Sequence, residues 1–277
     1  MQPNLPVVRS APVSSGKASR QPARGKQIAL ALSVPLVLIA AWFVTTEAAP
    51  LFRPNQLPSP TQVLHTAAEL AAGGDLTRHV SASIGRVLSG FIIGASLALL
   101  VAVAVGLSKT VERAFDPTLQ AVRNVPSLAW VPFLLLWMGI GETPRITLIA
   151  IGAFFPVYVN LVSGIRNVDR KLVEVGYVFG LSRADLVRRI IVPAALPYLL
   201  TGLRVGLGQA WLFLVAAELI ASVSGLGFML IDGQNNARPD IMLVAILTLA
   251  LLGKLSDSLL RAVERRALAW TDTFQGR

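Results

Sequence analysis

An all-α polytopic membrane protein is the fold class this sequence predicts, and three observations carry the prediction. Charged residues make up only 14% of the chain, where a soluble domain carries about a quarter. Hydrophobic residues make up 54% and gather into runs of about 20, the length at which a helix crosses a bilayer. The basic residues sit in the short segments between those runs, as they do where Lys and Arg fix membrane topology. A chain of 277 residues holds about six such spans with their connections.

Composition also removes whole classes of chemistry. There is no cysteine, so disulfide frameworks, thiolate metal sites and cysteine nucleophiles are excluded. His65 and His79 are the only histidines, and acids are scarce. No carboxylate pair, catalytic triad or metal cluster stands out, so neither a catalytic nor a metal site is expected. A net charge of +10 would point to nucleic acid in a soluble protein; its distribution here points to topology and away from nucleic acid.

Residues 1–27 read as a disordered basic cytoplasmic tail, with Arg9, Lys17, Arg20, Arg24 and Lys26 and no acid among Pro, Ser and Gly. The apolar run 28–46 is the first transmembrane helix. A signal-peptide core is the alternative, given Glu47-Ala48-Ala49 behind it, but the run and the basic segment before it are both long for one. Residues 47–82 form a periplasmic segment: a turn at 57–61, then a short helix over 62–72 ended by Gly73-Gly74.

The core transmembrane domain is expected over 83–260. Its spans are 83–107, 121–140, 146–165, 195–221 and 241–260. Gly85, Gly90 and Gly94 lie on the first of these, where small residues let a neighbouring helix approach or are simply tolerated. Lys109, Glu112, Arg113 and Asp116 read as a polar inner loop. Pro126 and Pro132 predict kinks in the 121–140 span, and Pro156 lies midway along the next. Residues 141–144 form an outer turn and 222–240 a Gly-rich polar outer loop. Residues 261–277 form a cytoplasmic tail. With this threading 18 basic residues fall inside and 5 outside, which places both termini in the cytoplasm.

The inner segment 166–196 carries more structure than a short connection needs. A helix over 169–179 is expected to end at Gly180, since glycine takes the left-handed conformation at little cost. Ser182-Arg183-Ala184-Asp185 has the form of a capping box with Asp in place of Glu, and it starts an amphipathic second helix. Pro193 and Pro197 return the chain to the membrane. The product is a rigid helix–glycine–helix knob. It suits either a socket on another protein or a place among lipid headgroups, and the residues alone leave these two open.

Particular motifs decide between them. Glu174-Val175-Gly176, Gly180, Ile191-Val192-Pro193 and Leu196-Pro197 resemble the EAA loop of binding-protein-dependent ABC importer permeases, with Val and Gly in place of the two alanines. The 124–132 segment, Trp137-Met138-Gly139, Phe154-Phe155-Pro156, Leu203-Arg204-Val205-Gly206 and Ala217-Glu218-Leu219 resemble the nitrate/sulfonate/taurine branch of that family. Gly253-Lys254-Leu255-Ser256-Asp257 and the 264–266 ending lean toward the aliphatic sulfonate permeases. The resemblance covers most of 50–270.

It implies a type I ABC importer permease fold in the bacterial inner membrane. It implies two permease chains, a homodimer, forming the pathway, and two ABC ATPase subunits that receive the loop. A periplasmic or lipid-anchored binding protein would deliver a small anion. The loop residues it implies for coupling are Glu174, Val175, Gly176, Gly180, Leu181, Ser182, Asp185, Pro193 and Pro197. The chain lacks a glycine-rich phosphate loop ending in Lys-Ser/Thr, so ATP is expected on the partner subunit, with no cofactor and no enzymatic role here.

Charges within spans are costly and functional by default. Arg204 and Glu218 are therefore candidates for the substrate pathway, although Arg204 could equally snorkel or form a structural pair. Lys254 and Asp257, three residues apart, could pair with each other. Trp130, Trp137 and Trp211 read as packing or interfacial residues. An ion-coupled secondary transporter would show inverted repeats or buried acids at the membrane centre, and neither is evident. A structural scaffold would leave the knob without a purpose.

Overall fold

The computed structural model describes residues 24–270; the expected tail over 1–23 and the last residues, 271–277, lie outside them. Helices α1 to α11 run in order as Arg24–Phe43, Pro60–Ala72, Asp75–Leu107, Lys109–Asn124, Val131–Met138, Glu142–Arg166, Arg170–Val178, Arg183–Leu186, Val192–Ala221, Leu226–Asn235 and Pro239–Ala267, with no strand among the described residues. Two compact units divide at Leu51. The first is α1 and a π turn over Val44–Ala48, where Thr45 and Thr46 hydroxyls donate to the Ala41 and Trp42 carbonyls at 2.8 and 2.7 Å.

In the second unit, four helices among the described residues are long and apolar enough to cross a membrane. These are α3, α6, the run through α8 and α9, and α11; a bent pair over 109–138 makes a fifth. Helix α3 lies parallel to α6 and antiparallel to α9. Lipid gives no hydrophobic drive for helix association, so close van der Waals fit must hold them. Gly94 meets the backbone of Ala150 so tightly that a methyl group there would overlap it. Gly90 packs on Ile149 in the same way, whereas Gly85 faces open space. Ala98, Ala102 and Val105 of α3 pack with Val157, Leu161 and Val162 of α6.

Three segments differ from the sequence expectation. The polar inner loop at 109–116 is the start of α4, an amphipathic helix capped by Ser108, whose hydroxyl accepts from the Val111 N–H. The expected 121–140 span is not continuous: α4 ends at Asn124, and the chain turns by 88° into Ser127–Met138. Val125 is extended at φ −74° and ψ 123°, because the residue before a proline is pushed out of the helical region. The expected outer loop 222–240 contains α10, whose Leu226, Gly227, Met229 and Gly233 are buried. In addition, the expected C-terminal tail remains helical to Ala267.

Helix α2 is tied to the start of α11. The buried Thr66 hydroxyl donates to Asp240 Oδ2 at 2.8 Å, and Arg238 Nη2 reaches the same oxygen at 2.6 Å. That hydrogen bond holds the Arg238 guanidinium above its ordinary range.

Candidate coupling loop and charge clusters

Helix α7 begins at Asp169, whose carboxylate accepts from the Lys171 N–H at 2.9 Å. It ends in a Schellman motif: Leu181 N–H donates to the Gly176 carbonyl at 3.0 Å and Gly180 N–H to Tyr177 at 2.9 Å. Gly180 sits at φ +72°, the left-handed value that only glycine adopts cheaply. Ser182 then caps α8, accepting from the Asp185 N–H at 3.2 Å, while its hydroxyl donates to Asp185 Oδ2 at 2.6 Å. The Asp185 carboxylate thus meets the cap hydroxyl, where the usual capping box meets the cap N–H.

Gly176 is buried against α8. A Cβ there would lie 2.7 Å from Leu186 Cδ2 and 2.9 Å from Ile190 Cδ1. Glycine in place of the second alanine of the motif therefore lets the two loop helices close on each other. The outer face of α7 is left bare: Val178 is 85% and Phe179 77% exposed, with Leu172, Val175 and Tyr177 also exposed. Glu174 is exposed beside them and forms no ion pair with a described residue.

Pro193 and Pro197 do not separate the loop from the next span. Helix α8 runs through a π turn over Val187–Ile191 straight into α9, and Arg183–Ile220 is one continuous 38-residue helix. Val192 N–H bonds five residues back to Val187, so the ladder has already changed its spacing where Pro193 lacks a donor.

Arg204 faces α11. Its Nε donates to Asp257 Oδ1 at 2.9 Å, and Nη1 lies 3.5 Å from Glu264 Oε2. Asp257 also binds Arg261, so its partners are two arginines on either side and not Lys254. Trp211 Nε1–H donates to Ser256 at 2.9 Å.

Glu218 belongs to a buried network at the opposite end of the bundle. It is 1% exposed and accepts from Ser83 Oγ at 2.8 Å, Arg86 Nη1 at 2.6 Å and Gly227 N–H at 2.7 Å. Arg86, 5% exposed, also forks onto Glu142 through Nε at 2.6 Å and Nη2 at 2.7 Å, and reaches the Ser224 carbonyl at 2.6 Å. His79 Nδ1 accepts from Gly225 N–H at 3.0 Å. Gly225, at φ +114°, leaves no room for a side chain beside the Glu218 carboxylate. The network pins α3, α6, α9 and α10 together. Sequence reading took Glu218 in isolation and passed over Arg86, although Ser83 and Arg86, three apart at the start of a span, mark one polar face.

No group of three or more His, Asp and Glu among the described residues could hold a metal ion. The arrangement instead offers a rigid, apolar-tipped loop joined to a spanning helix, and charges paired within the bundle.

Known proteins agree with that architecture. Residues 90–268 match the model of the binding-protein-dependent transport system inner membrane component family. The chain is 42% identical over 245 residues, 88% of each chain, to the Bacillus subtilis protein named as aliphatic sulfonates transport permease SsuC. The Escherichia coli protein of that name is 40% identical, over 87% of this chain and 91% of its own. The taurine transport system permease TauC of Escherichia coli is 36% identical, over 90% and 92%. Among solved structures, the inward-facing MetNI methionine ABC transporter matches with a TM-score of 0.55 at 19% identity, over 70% of this chain and 98% of that one, which supports the fold. This chain belongs to the binding-protein-dependent transport system inner membrane components: it is a multi-pass permease subunit of an ABC importer, with the type I importer fold, in the branch of the sulfonate, taurine and nitrate permeases.

Proposed function

We propose that this chain forms half of the pathway by which an aliphatic sulfonate enters the cell, with a second copy of itself as the other half. The observation that carries the coupling role is the continuity of α8 with α9. A partner gripping the loop moves a spanning helix directly, because no flexible joint absorbs the force. The exposed Val178 and Phe179 provide the apolar surface that such a partner would cover, and Glu174 the charge beside it. That partner is a separate ATPase subunit, which binds and hydrolyses the ATP. A binding protein supplies substrate on the opposite face.

The loop end of the bundle is cytoplasmic on this reading, as are both termini, in keeping with the concentration of basic residues there. Arg204 and Glu218 act as structural charges, since their partners within the bundle already satisfy them. The substrate reading draws on the names of the relatives that match over most of both chains. Deleting the gene is expected to stop growth on alkanesulfonates as sole sulfur source while growth on sulfate continues. Loss of growth on taurine alone, or of nitrate assimilation alone, would contradict the sulfonate assignment and leave the permease assignment standing.

A further inference from the structure

Arg123 lies near the end of α4, at the start of the expected 121–140 span and counted from sequence among the inner basic residues. The fold carries it elsewhere. Helix α4 runs antiparallel along α6: Glu112 pairs with Arg166 at 2.9 Å at the loop end, and Asp116 then accepts from the Tyr158 hydroxyl at 2.9 Å. Two turns further on, Arg123 lines a cavity of about 240 Å³ that reaches Phe155. Phe155 stands near the middle of the 25-residue α6, roughly 20 Å from its start and about 17 Å from its end at about 1.5 Å per residue. The seven residues from Asp116 to Arg123, about 10 Å of helix, carry Arg123 from the level of Tyr158 toward the middle of α6.

It is also uncommitted. Asp116 is engaged by Tyr158 and by Gln120 at 2.7 Å, and Glu112 by Arg166. Arg123 is exposed and forms no hydrogen bond or ion pair with a described residue. An arginine at this depth is costly unless it faces a water-filled cavity, and there it marks an ion or substrate path.

Across Phe155 lies a second cavity, of about 410 Å³, lined by Leu97, Val122, Trp130, Trp137 and Phe154. Phe155 borders both cavities, and Val122 adjoins Arg123 in the chain. Arg123 therefore lines a polar chamber that shares Phe155 with an aromatic one.

We propose that Arg123 binds the anionic head group of the transported organosulfonate, with the aromatic cavity beyond Phe155 receiving its alkyl part. This rests on the sulfonate reading above. The planar fork of the guanidinium presents several donors to an oxyanion. Asp116 and Arg166 line the same chamber but are engaged by Tyr158 and Glu112, so Arg123 alone is left to hold an anion, loosely enough to pass it on. An anionic phospholipid shares the oxyanion-plus-alkyl chemistry, so the test separates the two.

The permease is reconstituted with its ATPase and binding protein in vesicles of zwitterionic lipid, and in vesicles that also contain phosphatidylglycerol. ATP-driven uptake of ethanesulfonate and octanesulfonate is measured. Arg123→Gln is expected to lower uptake about tenfold or more in both lipids, Arg123→Lys to retain an intermediate rate, and both to assemble with the ATPase in wild-type yield. Arg123→Met serves as the neutral variant if the glutamine form is not recovered. Leu97→Trp, which fills part of the aromatic cavity, is expected to reduce octanesulfonate uptake more than ethanesulfonate uptake. Wild-type uptake by the neutral variant would overturn the proposal, as would a defect confined to the phosphatidylglycerol vesicles, which would assign Arg123 to lipid. Equal loss of both sulfonates in Leu97→Trp would overturn the alkyl site. If the wild-type protein imports neither sulfonate, the substrate reading has failed. Arg123 is then scored on the anion that is imported: a tenfold loss upholds it as the anion site, and unchanged uptake overturns it.

Discussion

Gly180→Val is expected to abolish uptake while leaving the permease in the membrane. At φ +72° an L-residue costs about 1–2 kcal/mol, and a β-branched one is a genuine outlier there. The cost is conformational and not steric, since nothing lies within 4 Å of where the Cβ would be. It is relieved by abandoning the left-handed turn, which breaks the bonds from Leu181 to Gly176 and from Gly180 to Tyr177. Helix α7 then leaves α8, and the exposed Val178–Phe179 tip points elsewhere. Glu174→Lys tests the same surface without touching the turn: on the proposed reading Glu174 meets a basic residue of the ATPase cleft, and placing like charges together at an interface costs on the order of several kcal/mol. Both variants should reach the membrane in normal amounts, because neither residue packs in the spanning bundle. Recovery of the ATPase with the purified permease should fall, and uptake by at least about tenfold. Normal recovery and normal uptake in both would leave the loop as a helix resting on headgroups.

The second large effect is expected at the opposite end of the bundle. Arg86→Gln strands the buried Glu218 carboxylate, and breaking a buried pair from one side costs roughly 3–5 kcal/mol. Glu218→Gln should be milder, because Arg86 keeps its two bonds to Glu142 and the amide can still accept from Ser83 and Gly227. The double variant should recover part of the loss, since it leaves no uncompensated buried acid. Thermal stability of the detergent-solubilised permease would rank the variants: wild type, Glu218→Gln, the double variant, then Arg86→Gln. Equal stability of Arg86→Gln and Glu218→Gln would contradict the asymmetric network.

The helix–glycine–helix form of the 166–196 loop is legible in sequence because its signals are local. A glycine that ends a helix, a serine that starts the next and an acid three residues on act within one turn of the chain. Its continuity with α9 is not legible: Pro193 and Pro197 read as returning the chain to the membrane, and the π turn that precedes them leaves no mark in composition. Segment 222–240 was misread for a related reason. Gly225 and Gly227 look like loop residues, but they are glycine because the Glu218 side chain occupies the space beside them. The Arg86 network is legible only as the Ser83–Arg86 polar face, because Glu142 and Glu218 lie 56 and 132 residues from Arg86. The bend after Asn124 was half legible: two prolines announced kinks, and Pro126 forces Val125 out of the helical region. Nothing local, however, announced a right-angled turn, and with it the depth of Arg123 was hidden.

The central claim is that a separate ATPase grips the α7–α8 loop and thereby moves α9. With no native cysteine in the chain, Phe179→Cys provides a single thiol at the exposed tip. A short photoactivatable cross-linker attached there, in membranes containing the whole transporter, should yield one adduct between permease and ATPase, weakened when Gly180→Val is added. A Phe179 adduct formed only with lipid, in membranes where the ATPase is present and uptake is active, would contradict the account.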